Sequence, residues 1–253
     1  MACTSDHSDE LLRSRIEDTV RLCEKRYSPC YLGFLDLREQ ALVQDMMRQI
    51  GCVDWRLYGG YGDAERTMLC VYPDYLSADE LDYPFVAVCF RYRETRSLTH
   101  RDVLGTLLSA GIRRDAIGDI LCGVGFSVVF LREEVIGFVC EQVNRIGGEG
   151  VVTIPDYDGE LPLSKEYIEL QETVASPRLD AVVKALVRCS REAAADAVRL
   201  GYVSVDHRPV ESVSIPVSAP CTISVRGQGR FLIDQIGPET KKGRLRLLAR
   251  KCI

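Results

Sequence analysis

Apolar positions along this chain repeat with two periods, and the switches between them mark its elements. Helical spacing runs over residues 11–25 and 37–50. Asp36 precedes the second run as an N-cap, and Glu39 three residues later completes a capping box. The period then falls to two over residues 53–58 and 65–72, two strands expected around the turn from Tyr58 to Asp63. A second stretch reads strand (85–92), helix (100–110), two short strands (118–130), helix (133–146) and strand (151–154). That order suits a ferredoxin-like β-α-β-β-α-β unit. Thr99 with Asp102 forms another capping box, and Gly111 stands where a left-handed C′ residue is expected. The polar, proline-bearing residues 156–177 connect to a third stretch. The fold class is therefore α+β. Its expected domains are an N-terminal helix-hairpin α/β domain (1–80), a middle ferredoxin-like, RRM-like domain (81–158), a linker (159–175) and a C-terminal module (176–253).

In the third stretch, Leu179, Val182, Val183 and Leu186 make an apolar helical stripe, with Lys184 and Arg188 one turn apart beside it. Ser190 is placed to cap a second helix, on which Arg191 and Arg199 fall within about 80° of each other at 3.6 residues per turn. A strand at Val203 and Val205 follows. Farther on, Ile223 and Val225 lead into the turn Arg226-Gly227-Gln228-Gly229-Arg230. The final strand alternates, with Leu245, Leu247 and Ala249 on one side and Arg244, Arg246 and Arg250 on the other.

Charge sharpens this picture. The net charge is −5, yet residues 176–253 hold 14 basic and 7 acidic residues, and the remainder holds 18 basic and 30 acidic. A basic module on an acidic body is the electrostatic footprint of a protein that meets a polyanion. Arginine's planar fork suits phosphates, and glycines in a turn allow close backbone approach.

Catalytic chemistry finds no comparable support. The three histidines (His7, His100, His207) lack metal-ligand or triad-like company. His100-Arg101-Asp102 has the letters of a kinase catalytic loop, but Leu107 stands where the magnesium-binding asparagine belongs. Residues 59–62 lack the Gly-Lys-Ser/Thr ending of a phosphate-binding loop, and Gly123-x-Gly125 lacks a third glycine and a following helix. The 11 cysteines contain no C-x-x-C pair and lie mostly in apolar contexts, which reads as buried free thiols. No cofactor or metal is expected, and no enzyme activity. The acidic N-terminus is unlike a signal peptide, and no apolar run reaches the length of a membrane span, so a cytoplasmic protein is expected.

The string from Arg178 to Glu211, followed by Ile223 to Phe231, resembles the S4 (αL-motif) RNA-binding domain. The resemblance lies in the opening Arg-Leu-Asp, the Ser-Arg of the second helix, the Gly-x-Val-x-Val strand and the Arg-Gly-x-Gly-Arg turn. It departs from that pattern at Asp206, where asparagine is usual, and at Ala219-Pro220 in place of Gly-Asp. With residues 99–120 included, the whole chain is similar to the bacterial YlmH family. The resemblance implies a non-catalytic, monomeric factor of ribosome-associated quality control, also labelled a cell-division protein. Such a factor binds 23S rRNA and peptidyl-tRNA on the large ribosomal subunit, with no membrane partner. It implies RNA contacts at Arg178, Lys184, Arg188, Ser190, Arg191, Arg226 and Arg230; the surrounding pattern adds Arg199, Gly227, Gly229, Arg244 and Arg246. Arg101, Arg113 and Arg114 are candidates for a secondary RNA contact, against a structural reading as cap, turn and surface charge. The middle domain lacks the paired aromatics by which RNA-recognition motifs stack bases. Two other functions stay open. One is an RNA-modifying enzyme of the pseudouridine-synthase type, which would carry its S4-like domain ahead of a large catalytic domain. The other is a division-site scaffold.

Overall fold

The structure, a computed structural model, describes residues 3–51, 54–163, 167–240 and 243–252. Cys52 and Val53, where the first expected strand was to begin, lie outside the described residues, as does the side chain of Cys3. The chain divides into two units, Met1–Leu163 and Ser164–Ile253.

Unit 1 opens with α1 (Cys3–Arg26), β1 (Cys30–Leu35), α2 (Leu37–Ile50), β2 (Asp54–Tyr58) and β3 (Thr67–Tyr72). The expected N-terminal helix hairpin is not formed, because β1 intervenes and pairs antiparallel with β3 in a three-stranded sheet of order β1-β3-β2. Cys30-Tyr31-Leu32-Gly33-Phe34-Leu35 carries no polar alternation since both its faces are covered. Asp36 does cap α2 as expected: its carboxylate accepts from the Arg38 and Glu39 amides, and Glu39 returns the bond to the Asp36 amide.

The rest of unit 1 runs β4 (Phe85–Arg91), α3 (His100–Ser109), β5 (Ile117–Cys122), β6 (Phe126–Arg132), α4 (Glu133–Gln142), β7 (Arg145–Ile146), β8 (Glu149–Gly150) and β9 (Val152–Ile154). The four-stranded antiparallel sheet has the order β5-β6-β4-β9, the connectivity that the β-α-β-β-α-β pattern requires. Helix α4 stops four residues short of the expected end. Gly147 and Gly148, both at positive φ, turn the chain into the β7–β8 hairpin instead.

One face of this sheet buries Val88, Phe90, Val129 and Leu131 against Val103, Leu107 and Val139 of the helices. The other face buries Phe85 and Phe130 against Phe34, Met68, Cys70 and Tyr72 of the first 80 residues. The aromatic contacts include Phe34–Phe85 at 5.0 Å and Tyr61–Phe130 at 5.6 Å between ring centroids. A polar hub ties the same surfaces together. Asp119, only 8% exposed, accepts from the Tyr61 hydroxyl (2.7 Å) and from the amides of Glu65 (2.7 Å) and Arg66 (2.9 Å). The Arg66 guanidinium donates to the carbonyls of Phe34 and Ile117. The expected boundary at residue 80 therefore falls inside one continuous core. Gly60, at φ +99°, lies so close to the Phe130 ring that a Cβ would overlap it, so glycine is required there.

Unit 2 comprises β10 (Tyr167–Val174), α5 (Leu179–Val187), α6 (Arg191–Arg199), β11 (Val203–Val205), β12 (Arg208–Pro209), β13 (Cys221–Val225), β14 (Gly229–Glu239) and β15 (Leu245–Cys252). All pairings are antiparallel in the order β10-β15-β14-β13-β11-β12. The stretch read as a linker thus supplies an edge strand of eight residues; residues 164–166 of it lie outside the described residues. Helices α5 and α6 lay Leu179, Val182, Val183, Leu186, Ala194 and Val198 on Val203, Ile223, Phe231, Ile233 and Leu247 of the sheet. The first amides of α5, which have no partner within the helix, donate to the loop that follows β12: Leu179 to the Ile215 carbonyl and Asp180 to Val213.

Candidate nucleic-acid interface

The site begins with one carboxylate. Asp180 sits in the first turn of α5, 3% exposed, and holds two arginines from different elements. Arg178 donates through Nε to Oδ1 at 3.0 Å, and Arg191, at the start of α6, through Nε to Oδ2 at 3.1 Å. Burial pushes this carboxyl up, but the two hydrogen bonds and the charges of Arg178 and Arg191 outweigh it and hold the group below its ordinary range. The guanidinium groups themselves remain at the surface, 40% and 65% exposed. Charge-assisted bonds fix their direction while leaving donors for a ligand.

Arg191 of this clamp also lines a cleft of about 380 Å³, with Lys184, Arg188 and Arg244 as its other basic residues. Arg188 ends α5 in the left-handed conformation (φ 53°), which sends its side chain back toward β10, where Glu172 accepts at 3.1 Å. Arg244 donates to the Thr173 carbonyl (2.6 Å) and hydroxyl (3.0 Å). Ser190 is the N-cap of α6 and accepts from the Ala193 amide at 3.0 Å. Its expected contact with RNA therefore competes with a capping duty. The sequence pointed to the basic residues and missed Asp180, Glu172 and Thr173, which aim them. The Arg-x-Asp spacing at a helix start was the available signal.

Helix α6 carries the arrangement about 12 Å farther, at 1.5 Å per residue. At its other end Arg199 pairs with Asp196 at 2.7 Å, and the chain reaches Tyr202. The Arg226 amide donates to the Tyr202 carbonyl and its guanidinium lies over the Tyr202 ring at 5.4 Å. Arg226 and Arg230 flank the β13–β14 turn, where Gly227 and Gly229 take positive φ. The sequence's row of three arginines on β15 is broken up. Arg246 is exposed, Arg244 precedes the strand and serves the cleft, and Arg250 is bound bidentately to Asp234 (2.9 and 2.6 Å).

In unit 1 the three secondary candidates separate. Arg113 is exposed and bidentate to Asp115 (3.1 and 2.7 Å). Arg114, its neighbour, turns inward and donates to the Ile117 carbonyl at 2.8 Å. Burial, with the adjacent Arg66 charge, lowers its pKa to about 10. Its guanidinium is thereby committed to the interior. Arg101 lies exposed on the first turn of α3. Asp102 caps that helix, accepting from the Thr99 amide (2.9 Å) and hydroxyl (2.6 Å), bonds that hold its carboxyl below the ordinary range. The kinase-like triplet is a capping box here. Among the described residues no three His, Cys, Asp or Glu side chains are placed to share a metal ion, and no helix is long and apolar enough to cross a membrane.

Residues 79–156 match a family model described as "Putative RNA-binding domain in YlmH". Over 230 residues, 90% of this chain and 89% of the relative, the chain is 31% identical to the ribosome-associated protein quality control protein P2 of Bacillus subtilis strain 168. In fold it resembles the cell division protein ylmH of Streptococcus pneumoniae, with a TM-score of 0.52 and 17% identity over 58% of this chain and 90% of that one.

Proposed function

This chain belongs to the YlmH family, and from that premise we propose that it is a non-catalytic RNA-binding factor of ribosome-associated quality control. Unit 2 is read as its S4 RNA-binding domain, and the target as 23S rRNA and peptidyl-tRNA on the large ribosomal subunit. The observation that carries the proposal is the cleft of unit 2, where α5, α6 and the entry to β15 direct four basic side chains to one place, Arg191 among them held by the buried Asp180. Phosphates fit this arrangement because guanidinium forks bind them bidentately, and because the retained acids fix geometry without cancelling the excess positive charge. The Tyr202–Arg226 pair adds a flat cationic surface at the far end of α6.

Co-sedimentation with purified large ribosomal subunits over a salt series tests this in the full chain. Wild-type protein pellets with the subunits. Arg188→Ala and Arg191→Ala each weaken binding by roughly tenfold and flatten the slope of log K against log[salt] by about 0.7 to 0.9, one phosphate contact. Binding unchanged in both variants overturns the assignment of the cleft. Wild-type protein that stays in the supernatant overturns the ribosomal target. New pseudouridine in rRNA incubated with the pure protein would replace the non-catalytic reading with the modifying-enzyme one.

A further inference from the structure

Unit 1 repeats the clamp of unit 2. Asp115, like Asp180, is the third residue of an Arg-x-Asp run and takes two arginines from different elements. Arg113 binds it bidentately, and Arg15 of α1 approaches at 3.6 Å. The pair opens on a cleft of about 490 Å³ that also holds Arg132, Glu134 and Phe138. Arg132 ends β6. Its guanidinium pairs with the exposed Glu134, Nη2 donating to Oε2 at 3.3 Å and the buried Nε lying 3.3 Å from Oε1. The cleft thus gathers three guanidinium groups against two carboxylates. Beside them the Phe138 ring is 46% exposed, unusual for a phenylalanine on a helix whose other face is core.

We infer that this cleft is an RNA site. A phosphodiester sits at Arg15, Arg113 and Arg132, and an unpaired base lies on Phe138. The inference rests on the RNA-binding reading proposed above and locates a second contact within it. Two observations favour this place. The sheet face that an RNA-recognition motif would use is sealed by the aromatic core of Phe34, Phe85 and Phe130, so bases cannot stack there. The cleft, by contrast, offers forked donors and a bare ring together, the combination that tracks a single strand. Of the three secondary candidates named from sequence, only Arg113 belongs to this site; Arg15, Arg132 and Phe138 are new to it.

The test uses the full chain and two fluorescein-labelled probes, an RNA hairpin with a single-stranded uridine tail and the same hairpin without it. In wild-type protein the tail strengthens binding by about tenfold, the lower range expected for one stacked base with a phosphate contact. Phe138→Ala and Arg113→Ala remove that gain and leave the affinity for the tailless hairpin within twofold. Arg113→Lys restores only part of it, since the charge returns without the fork. Both side chains are exposed, and unchanged melting temperatures confirm that the variants fold. Arg191→Ala weakens both probes alike. A tail that adds nothing in wild-type protein, or a gain that survives both cleft variants, overturns the inference while leaving the unit 2 site standing. A wild-type chain that binds neither probe removes the RNA reading itself. Displacement of the tail by polyglutamate but not by polyuridylate reassigns the cleft to acidic peptide.

Discussion

Replacing Asp180 by asparagine sets two physical accounts of the unit 2 site against each other. If attraction to RNA is set by net charge alone, Asp180→Asn removes a repulsive carboxylate and tightens binding. For a phosphate roughly 7 Å away in a water-like dielectric, the gain is about 0.6 kcal/mol. If the carboxylate matters because it holds Arg178 and Arg191, the variant frees two long side chains that RNA must then order. At about 0.5 to 1.5 kcal/mol for each, the cost is about 1 to 3 kcal/mol, and binding weakens by roughly 5- to 150-fold before the small charge gain is subtracted. The two bonds at 3.0 and 3.1 Å and the burial of Asp180 favour the second account. Anisotropy titration of wild-type protein, Asp180→Asn and Arg191→Ala against the tailless hairpin measures the sign. Equal or tighter binding by Asp180→Asn would refute preorganisation. Stability gives a second readout. The folded carboxyl titrates below its unfolded value of about 3.9. Its contribution is therefore complete above that value and fades as pH falls through the lowered one. The difference in urea midpoint between wild type and variant should be present at pH 7 and shrink toward pH 2; a constant difference would contradict the linkage.

Other expectations follow from single residues. Asp119→Ala strands three half-buried donors (the Tyr61 hydroxyl and the Glu65 and Arg66 amides) and should cost unit 1 about 2 to 3 kcal/mol in urea unfolding; a loss under about 1 kcal/mol would contradict the hub. Arg250→Ala, whose guanidinium serves Asp234 and the Tyr167 ring at the surface, should change RNA affinity less than twofold and leave the urea midpoint nearly unchanged. With Ellman's reagent at pH 8, exposed Cys140 should react first among the cysteines of the described residues. Cys70, its thiol pushed up to about 12 by burial, should react only on unfolding, and equal rates for the two would refute that burial.

Much of the architecture was legible because its signals are local. Capping boxes at Asp36 and Thr99, the stripe of α5 and the glycines at the turns each depend on residues within one turn of chain. Two of the strands that escaped notice fail the period-two test for opposite reasons. Strand β1 is apolar throughout because both faces are covered. Strand β10 is an edge strand that exposes Ile168 and Glu169 in succession, so its alternation is broken. The site was legible by residue type and not by direction. Arg113 and Arg114 are adjacent and identical, yet one is exposed and the other donates into the core. In a turn there is no period from which to read the difference. The pairing of Asp180 with Arg191 spans two helices and exists only once they pack.

The acids around the unit 2 cleft bear on how the proposed contact discriminates among RNAs. Unit 1 carries 17 basic and 27 acidic residues and unit 2 carries 15 and 10, so β10 with its glutamates dilutes the positive excess of the C-terminal module. At physiological ionic strength charges are screened beyond about 8 Å, so a net charge of this size steers weakly and holds RNA poorly by itself. Affinity must then come from short-range fit, in which a guanidinium already aimed by an aspartate loses less freedom than an unrestrained one. An RNA that presents phosphates at the spacing of Arg178, Arg188 and Arg191 gains from every fixed fork, while a flexible strand matches one at a time and meets the acids between them. In the unit 2 contact proposed above, structured RNA is favoured because these carboxylates penalise a strand that does not fit.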